Sequence, residues 1–264
     1  MIDPSAIVHP SAVIEEGARI GPGCRIGAFA LIGADVSLGE GVEVRNHGVV
    51  TGVTEIGPET VIHPFAVVGG PPQDLKYRGA RTTLIVGAKN RIREGATLNT
   101  GTEDGGGITR VGDNCLFMTG AHVGHDVHVG NNVIMANQAA LAGHCVVADD
   151  VIIGGLSGIH QWVRIGRGAI IGAVTMVTAD VVPHALVQGP RGVLDGLNLV
   201  GLKRRGVARE DINALRVAFQ SMKDGEGSFQ DRVRRLAEEG AESSYVREMV
   251  EFVLGASDRG FLTP

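Results

Sequence analysis

Five of the nine histidines crowd into one stretch of the chain: His122, His125, His128, His144 and His160. Imidazole titrates near neutrality, so a neutral ring can take a proton from a hydroxyl and later return it. Asp126 directly follows His125 and is placed to orient or polarise a ring. Gly143 carries no side chain, so its backbone N–H lies bare where a developing oxyanion would need a donor. With His160 and Gln161, these residues describe a general-base site. Zinc held by His122, His125 and His128 is the competing reading. His122 and His128 share one phase of the chain pattern and His125 another, so the three do not converge within one chain, and no metal is expected.

The elements that must position this cluster follow from a repeat. Every sixth residue from Ile2 is aliphatic: Ile2, Val8, Ile14, Ile20, Ile26, Ile32, Leu38, Val44, Val50, Ile56, Ile62 and Val68. Two residues earlier in each unit the side chain is small or β-branched, as at Ala6, Ala12, Ala18, Cys24 and Ala30. The phase resumes at Val86, Ile92 and Leu98, and again from Val111 to Val177. A period of six fits neither a helix nor a continuous strand, but it fits a parallel β-helix with one short strand and one turn per hexad. Three hexads make a coil, so residues eighteen apart stack. Gly143 then lies beneath His125, with Gln161 beneath it, and His144 lies beneath Asp126. The cluster becomes a polar patch at one corner of a prism. His9, His47, His63 and His184 read as ordinary polar residues of its outer face.

Composition agrees with a narrow axial core. Of 264 residues, 40 are Gly and only 4% are aromatic. Cys24, Cys115 and Cys145 fall in the small inward column, so they read as inert core thiols. No apolar run approaches a membrane span, and the N-terminus has no export signal, so the expected location is the cytoplasm. A net charge of −5 argues against a nucleic-acid binder. Positive charge is uneven: residues 1–190 carry 12 basic and 17 acidic residues, and residues 191–264 carry 12 of each, densest at Lys203-Arg204-Arg205.

The repeat breaks near 71–84 and 100–109, where the chain must loop out. The first loop contains Gln73-Asp74-Leu75-Lys76-Tyr77, and its Asp74 and Lys76 could reach a ligand on a neighbouring subunit. The second, around Glu103-Asp104-Gly105-Gly106-Gly107, reads as a tight loop and not as a phosphate cradle. Beyond about 190 the spacing of Ile212, Leu215, Phe219 and Met222 is helical. Ser228 with Asp231 resembles a capping box, and Ser244 precedes a last helix stopped by Gly255. The expected organisation is a β-helix over 1–190 and a small α-helical domain over 191–264.

The hexads, the Gln73–Tyr77 loop, the stretch Ala121-His122-Val123-Gly124-His125-Asp126, the pair His160-Gln161 and the segment from Asn198 to Gly206 together resemble the UDP-N-acetylglucosamine O-acyltransferases, which open lipid A biosynthesis. The resemblance spans essentially the whole chain. It implies a left-handed β-helix, and a homotrimer with sites in clefts between subunits. It also implies transfer of a 3-hydroxyacyl chain from acyl carrier protein to the 3-hydroxyl of UDP-N-acetylglucosamine, with no cofactor. By match, His125 is the general base and Gly143 the oxyanion donor, and adjacency makes Asp126 the support of the base. His122, His144, Asp74 and Lys76 would line the sugar and acyl pocket. His160, Gln161, Asn198 and Arg205 would hold the nucleotide, and Arg204 would help receive the acidic carrier protein. Ala173 stands where the family sets acyl length by residue size. Val200 departs from the Glu often found two residues after the Asn. N-acylation of a 3-amino sugar nucleotide, or a hexapeptide acyltransferase using acetyl-CoA, remain as alternatives. The related N-acyltransferase of the same pathway carries an extra N-terminal domain, for which a repeat starting at residue 2 leaves no room.

Overall fold

The computed structural model describes residues 1–240 and 242–263. The chain winds a three-faced, left-handed parallel β-helix and ends in a small helical domain. The faces hold eleven, nine and eight strands, most of them only two residues long. Up to the terminal hairpin, strands pair in parallel with the strand one coil away: Ile7 with Arg25, Val13 with Leu31, Val146 with Arg164. These pairs are the eighteen-residue stacking that the hexads predict.

The inward column is buried throughout. Ile62, Phe117, Met135 and Ile153 are fully enclosed, and Cys24, Cys115 and Cys145 lie in the small column at no more than 1% exposure. Burial disfavours the thiolate and pushes the Cys115 and Cys145 thiols up to about 11 and about 12.

Corners are where the chain departs from ordinary backbone. Fifteen described residues other than glycine adopt positive φ, and they recur at the corners in stacked series such as Asn114, Asn132 and Asp150. Such a conformation costs on the order of 1–3 kcal/mol and persists only where the surroundings impose it. The stacked coils supply that constraint.

Two segments leave the coils, one between the strands Val67–Gly70 and Thr83–Val86, the other between Thr97–Asn99 and Ile108–Val111. Both depart from the nine-stranded face and return to the eight-stranded face, so both project at the same corner. The ladder closes behind each: Thr83 pairs with Val53 on one side and with Ile108 on the other.

The sheet runs past the expected boundary at 190. Ala185–Gln188 continues the eleven-stranded face, and Val193–Leu197 pairs with it antiparallel, so a hairpin closes the end of the prism. Capping an open sheet edge in this way removes a template for further pairing. Helices begin only at α1 (Leu199–Arg204), followed by α2 (Arg209–Lys223), α3 (Phe229–Glu239) and α4 (Ser244–Leu254). Ile212, Leu215, Met222, Val233, Met249 and Val253 form the shared apolar interior of α2–α4. The Ser228–Asp231 capping box is present. Ser243, rather than Ser244, is the N-cap of α4.

The histidines outside the cluster divide. His9 and His47 are exposed, as expected, with His47 stacked between Phe29 and Phe65 at 5.2 Å from each ring centre. His63 and His184 are buried instead, at 8% and 0% exposure. Each has found a carboxylate: His63 lies 3.0 Å from Glu94, and His184 lies 3.3 Å from Glu248 of α4. A hexad pattern reports which backbone positions face inward. It does not report where a long side chain near a corner, or under the helical domain, comes to rest.

Candidate active site

A groove of about 430 Å³ runs along the nine-stranded face. Coil by coil its floor is Asn99, then His122 and Gly124, then Ala140 and Ala142, then Gly158 and His160, then Met176. Small residues repeated at outward positions make the trough. His125, Gly143 and Gln161 form its wall at the corner, and Gln73 reaches it from the first loop.

His125 is set there by its neighbour. Asp126 occupies the corner at φ +59° and is 1% exposed in its side chain. Its Oδ2 lies 2.8 Å from His125 Nδ1. An ionised carboxylate only accepts, so Nδ1 carries the hydrogen and the lone pair lies on Nε2. Asp126 is itself held: Thr102 donates its N–H to Oδ1 at 2.8 Å and its hydroxyl to Oδ2 at 2.5 Å. The second loop closes over this carboxylate at very short range. A Cβ on Gly105 would fall 2.2 Å from the Asp126 carboxylate, so only glycine admits the approach.

Gly143 has a matching constraint. A Cβ there would stand 2.4 Å from Cε1 and 2.6 Å from Nε2 of the His125 ring. Its N–H meets no acceptor among the described residues. An imidazole with its lone pair on Nε2 and an unused backbone donor therefore flank the same point of the groove.

One coil on, His144 packs edge-on against His125 with centroids 4.9 Å apart, and Trp162 stacks flat on His144 at 3.8 Å. Asp126, His144 and Trp162 thus form one corner series at φ +59°, +63° and +68°. Burial pulls His144 below the ordinary imidazole value, although the Asp126 charge opposes it. Burial does the same to His122, whose Nδ1 lies 2.8 Å from the Thr97 hydroxyl. Both rings are neutral near pH 7 and available as hydrogen-bonding groups.

The structure thus brings His122, His125, Asp126, Gly143, His144, His160 and Gln161 together. His128 faces outward from the eight-stranded face, away from the groove, so the His122–His125–His128 zinc set does not form. Ligand atoms of His125, Asp126 and His144 do lie within 4.8 Å of one another. Both Asp126 oxygens there are already engaged by Thr102 and His125. Asp74 and Lys76 lie beside the groove and line a smaller pocket with Thr102, Glu103 and Asp104, close enough for their charges to act on His144. Ala173, Arg204 and Arg205 do not line the groove within one chain. Asn198 has other work. Its Oδ1 accepts from Gly201 N–H at 2.9 Å to cap α1, and its Nδ2 donates to the Gly168 carbonyl at 3.0 Å.

Sequence reasoning did not single out Gln73, Asn99 or Thr102 as site residues. Asn99 donates to the Gly70 and Pro71 carbonyls, and its Oδ1 is buried without a partner.

Comparison with known proteins fits this geometry. The chain is 62% identical over 204 residues to the acyl-[acyl-carrier-protein]–UDP-N-acetylglucosamine O-acyltransferase of Paracoccus denitrificans, covering 77% of each chain. The chain belongs to the UDP-N-acetylglucosamine O-acyltransferases. The enzyme of that name from Rhizobium rhizogenes is 47% identical over 225 residues, covering 85% of this chain and 83% of that one. A model for the second domain of UDP-N-acetylglucosamine O-acyltransferases matches residues 180–262, and hexapeptide-transferase repeats match 17–52 and 108–143. Among solved structures, the UDP-N-acetylglucosamine acyltransferase of Campylobacter jejuni superimposes with a TM-score of 0.91 at 37% identity, covering 97% of this chain and 99% of that one. The Arabidopsis UDP-N-acetylglucosamine acyltransferase gives 0.80 at 33% identity, with both chains fully covered. This member of the family is therefore an acyltransferase built on the prism and helical cap described above.

Proposed function

We propose that this chain transfers a 3-hydroxyacyl group from acyl carrier protein to the 3-hydroxyl of UDP-N-acetylglucosamine, in lipid A biosynthesis. The observation that carries the reading is the His125–Asp126 pair with the unpartnered Gly143 N–H at its edge. Nε2 of His125 removes the proton of the sugar hydroxyl as that oxygen attacks the thioester carbon. Charge gathering on the carbonyl oxygen is met by Gly143 N–H. Asp126 holds the ring in the required tautomer and stabilises the imidazolium. Collapse of the tetrahedral intermediate breaks the C–S bond, and the imidazolium returns its proton to the departing thiolate of the carrier.

His122, His144, Asp74 and Lys76 serve the sugar and acyl chain, and His160 and Gln161 serve the nucleotide. Arg205 reaches the nucleotide phosphates, and Arg204 receives the acidic carrier protein. Ala173 limits the acyl chain. Several of these residues stand outside the groove of one chain, and a trimer that sets the corner of one subunit against the face of the next would complete the cleft. No helix among the described residues is long and apolar enough to cross a membrane. A cytoplasmic enzyme, meeting its carrier and nucleotide in solution, fits that.

The test is mass spectrometry of product formed from UDP-N-acetylglucosamine and carrier proteins bearing 3-hydroxyacyl chains of different lengths, beside His125→Ala. One preferred length, lost in the variant, supports the reading. Transfer only to the 3-amino sugar nucleotide would move the assignment to N-acylation, and acetyl-CoA as sole donor would overturn it.

A further inference from the structure

The C-terminal tail reaches back to the groove. After α4 the chain folds against the last coils, and its anchor is Asp180, which is fully buried. The Asp180 N–H donates to the Gly260 carbonyl at 2.8 Å, and its own carbonyl accepts from Leu262 N–H at 2.9 Å. Its carboxylate takes the Ser257 hydroxyl at 2.7 Å and both the backbone N–H and the guanidinium of Arg164. Phe261 packs among Phe229 and Phe252. The tail is therefore docked by backbone, charge and apolar contacts at once.

That docking delivers Arg259. Its Nε donates to the Gln161 carbonyl at 3.1 Å, and an Nη donates to Nδ1 of His160 at 2.7 Å. A guanidinium has donors only, so His160 Nδ1 must accept. An accepting Nδ1 places the proton of the neutral ring on Nε2. The Gln161 carbonyl lies 3.3 Å from the same Nδ1 and would otherwise be its acceptor. With an Arg259 N–H aimed at Nδ1 from 2.7 Å, a proton on that nitrogen would face a second donor, so the Nδ1–H tautomer is disfavoured.

We infer that Arg259 is a positioning residue: from the C-terminal tail it clamps His160 and Gln161, so that His160 presents an Nε2–H donor to the groove. The ligand class is the sugar nucleotide, a molecule rich in acceptor oxygens to which an Nε2–H can donate. This part of the inference rests on the proposed function; the tautomer assignment does not. The tail is accordingly part of the binding site, although it lies about a hundred residues further along the chain.

The experiment uses the full-length protein, uniformly labelled with nitrogen-15, and reads histidine ring tautomers by two-bond proton–nitrogen correlation. His160→Gln assigns the signal. Wild type should show His160 with a lone-pair Nδ1 and a protonated Nε2. In Arg259→Met no donor faces Nδ1, the Gln161 carbonyl is its remaining neighbour, and the ring should move to the Nδ1–H form. In kinetics, Arg259→Met should raise KM for UDP-N-acetylglucosamine about tenfold, the worth of one hydrogen bond, with kcat within about twofold. Arg259→Lys, keeping one donor, should recover part of the loss. An unchanged tautomer in Arg259→Met refutes the clamp even if KM rises, because the effect would then be structural. A changed tautomer with an unchanged KM refutes the positioning role. If the wild-type chain transfers nothing to UDP-N-acetylglucosamine, the proposed function falls, and the tautomer spectra still decide whether Arg259 sets His160.

Discussion

Adding one methyl group at Gly143 should disable His125, the proposed base, without unfolding the protein. The alanine Cβ would lie 2.4 Å from His125 Cε1 and 2.6 Å from Nε2. Ordinary contact between such atoms is about 3.5–4.0 Å, so the ring must retreat by roughly 1 Å. Asp126 cannot follow it, being almost fully buried and fixed by Thr102. The 2.8 Å bond from Nδ1 is stretched or lost, and Nε2 is displaced from the point where the proposed mechanism needs it. A misplacement of about 1 Å costs on the order of 100-fold, and loss of well-placed proton transfer on the order of 100-fold again, so kcat should fall about 10²- to 10⁴-fold. The backbone at Gly143 is not in the positive-φ region, so alanine adds no backbone strain and only the His125 ring has to move. The melting temperature should therefore move little. Release of carrier thiol gives the rate, and thermal unfolding gives the stability. In the His125→Ala background the same change should cost almost nothing more, because the contact it damages is already gone. Activity of Gly143→Ala within about threefold of wild type would show that the ring's position is not what the glycine protects.

Asp126→Asn should lower kcat by roughly 100-fold or more with little change in KM, because an amide no longer fixes the tautomer or offsets the imidazolium; steady-state kinetics checks the split. Cys115 and Cys145, with thiols pushed up to about 11 and about 12, should resist iodoacetamide at pH 8 until the protein is unfolded, which intact mass would show. Arg167 and His184 hold Glu248 at about 2 against the effect of its burial, below its ordinary 4.5. A depressed carboxylate stabilises the fold above its unfolded value and loses that contribution as pH falls through the folded one. The stabilisation should thus decline between about pH 4.5 and pH 2, and Glu248→Gln should flatten that part of the pH–stability curve measured by denaturant unfolding.

The hexads made the prism legible because each inward position repeats an identical demand for a small or aliphatic side chain. Stacking at eighteen then placed Gly143 against His125 and His144 against Asp126, and both contacts are present. The same rule failed where insertions stretch the coil. Asn99 lies one coil before Gly124, but the second loop lengthens that coil and hides the relation. Thr102 sits inside the loop itself, where no period applies. Gln73 was visible only as part of a motif. Arg259 lacked even that, since its contact with His160 depends on how a tail packs after the helical domain has formed. Asn198 was legible as a polar residue before a helix, and its capping bond to Gly201 is the local use such a position favours.

The parallel ladder along the groove also limits how the ligand's length can be specified. Successive coils lie about 4.8 Å apart, so the fold offers backbone positions along this face only at that interval. An acyl chain grows in much finer steps. Inserting a coil would lengthen the trough by several methylenes at once and carry every later wall residue with it. For an acyl chain lying in the groove, as proposed, intermediate lengths would be set by the bulk of individual side chains standing between the divisions, such as the half-exposed Met176 at the groove's far end. The prism behaves as a graduated rod: the repeat engraves the coarse marks, and single residues interpolate between them.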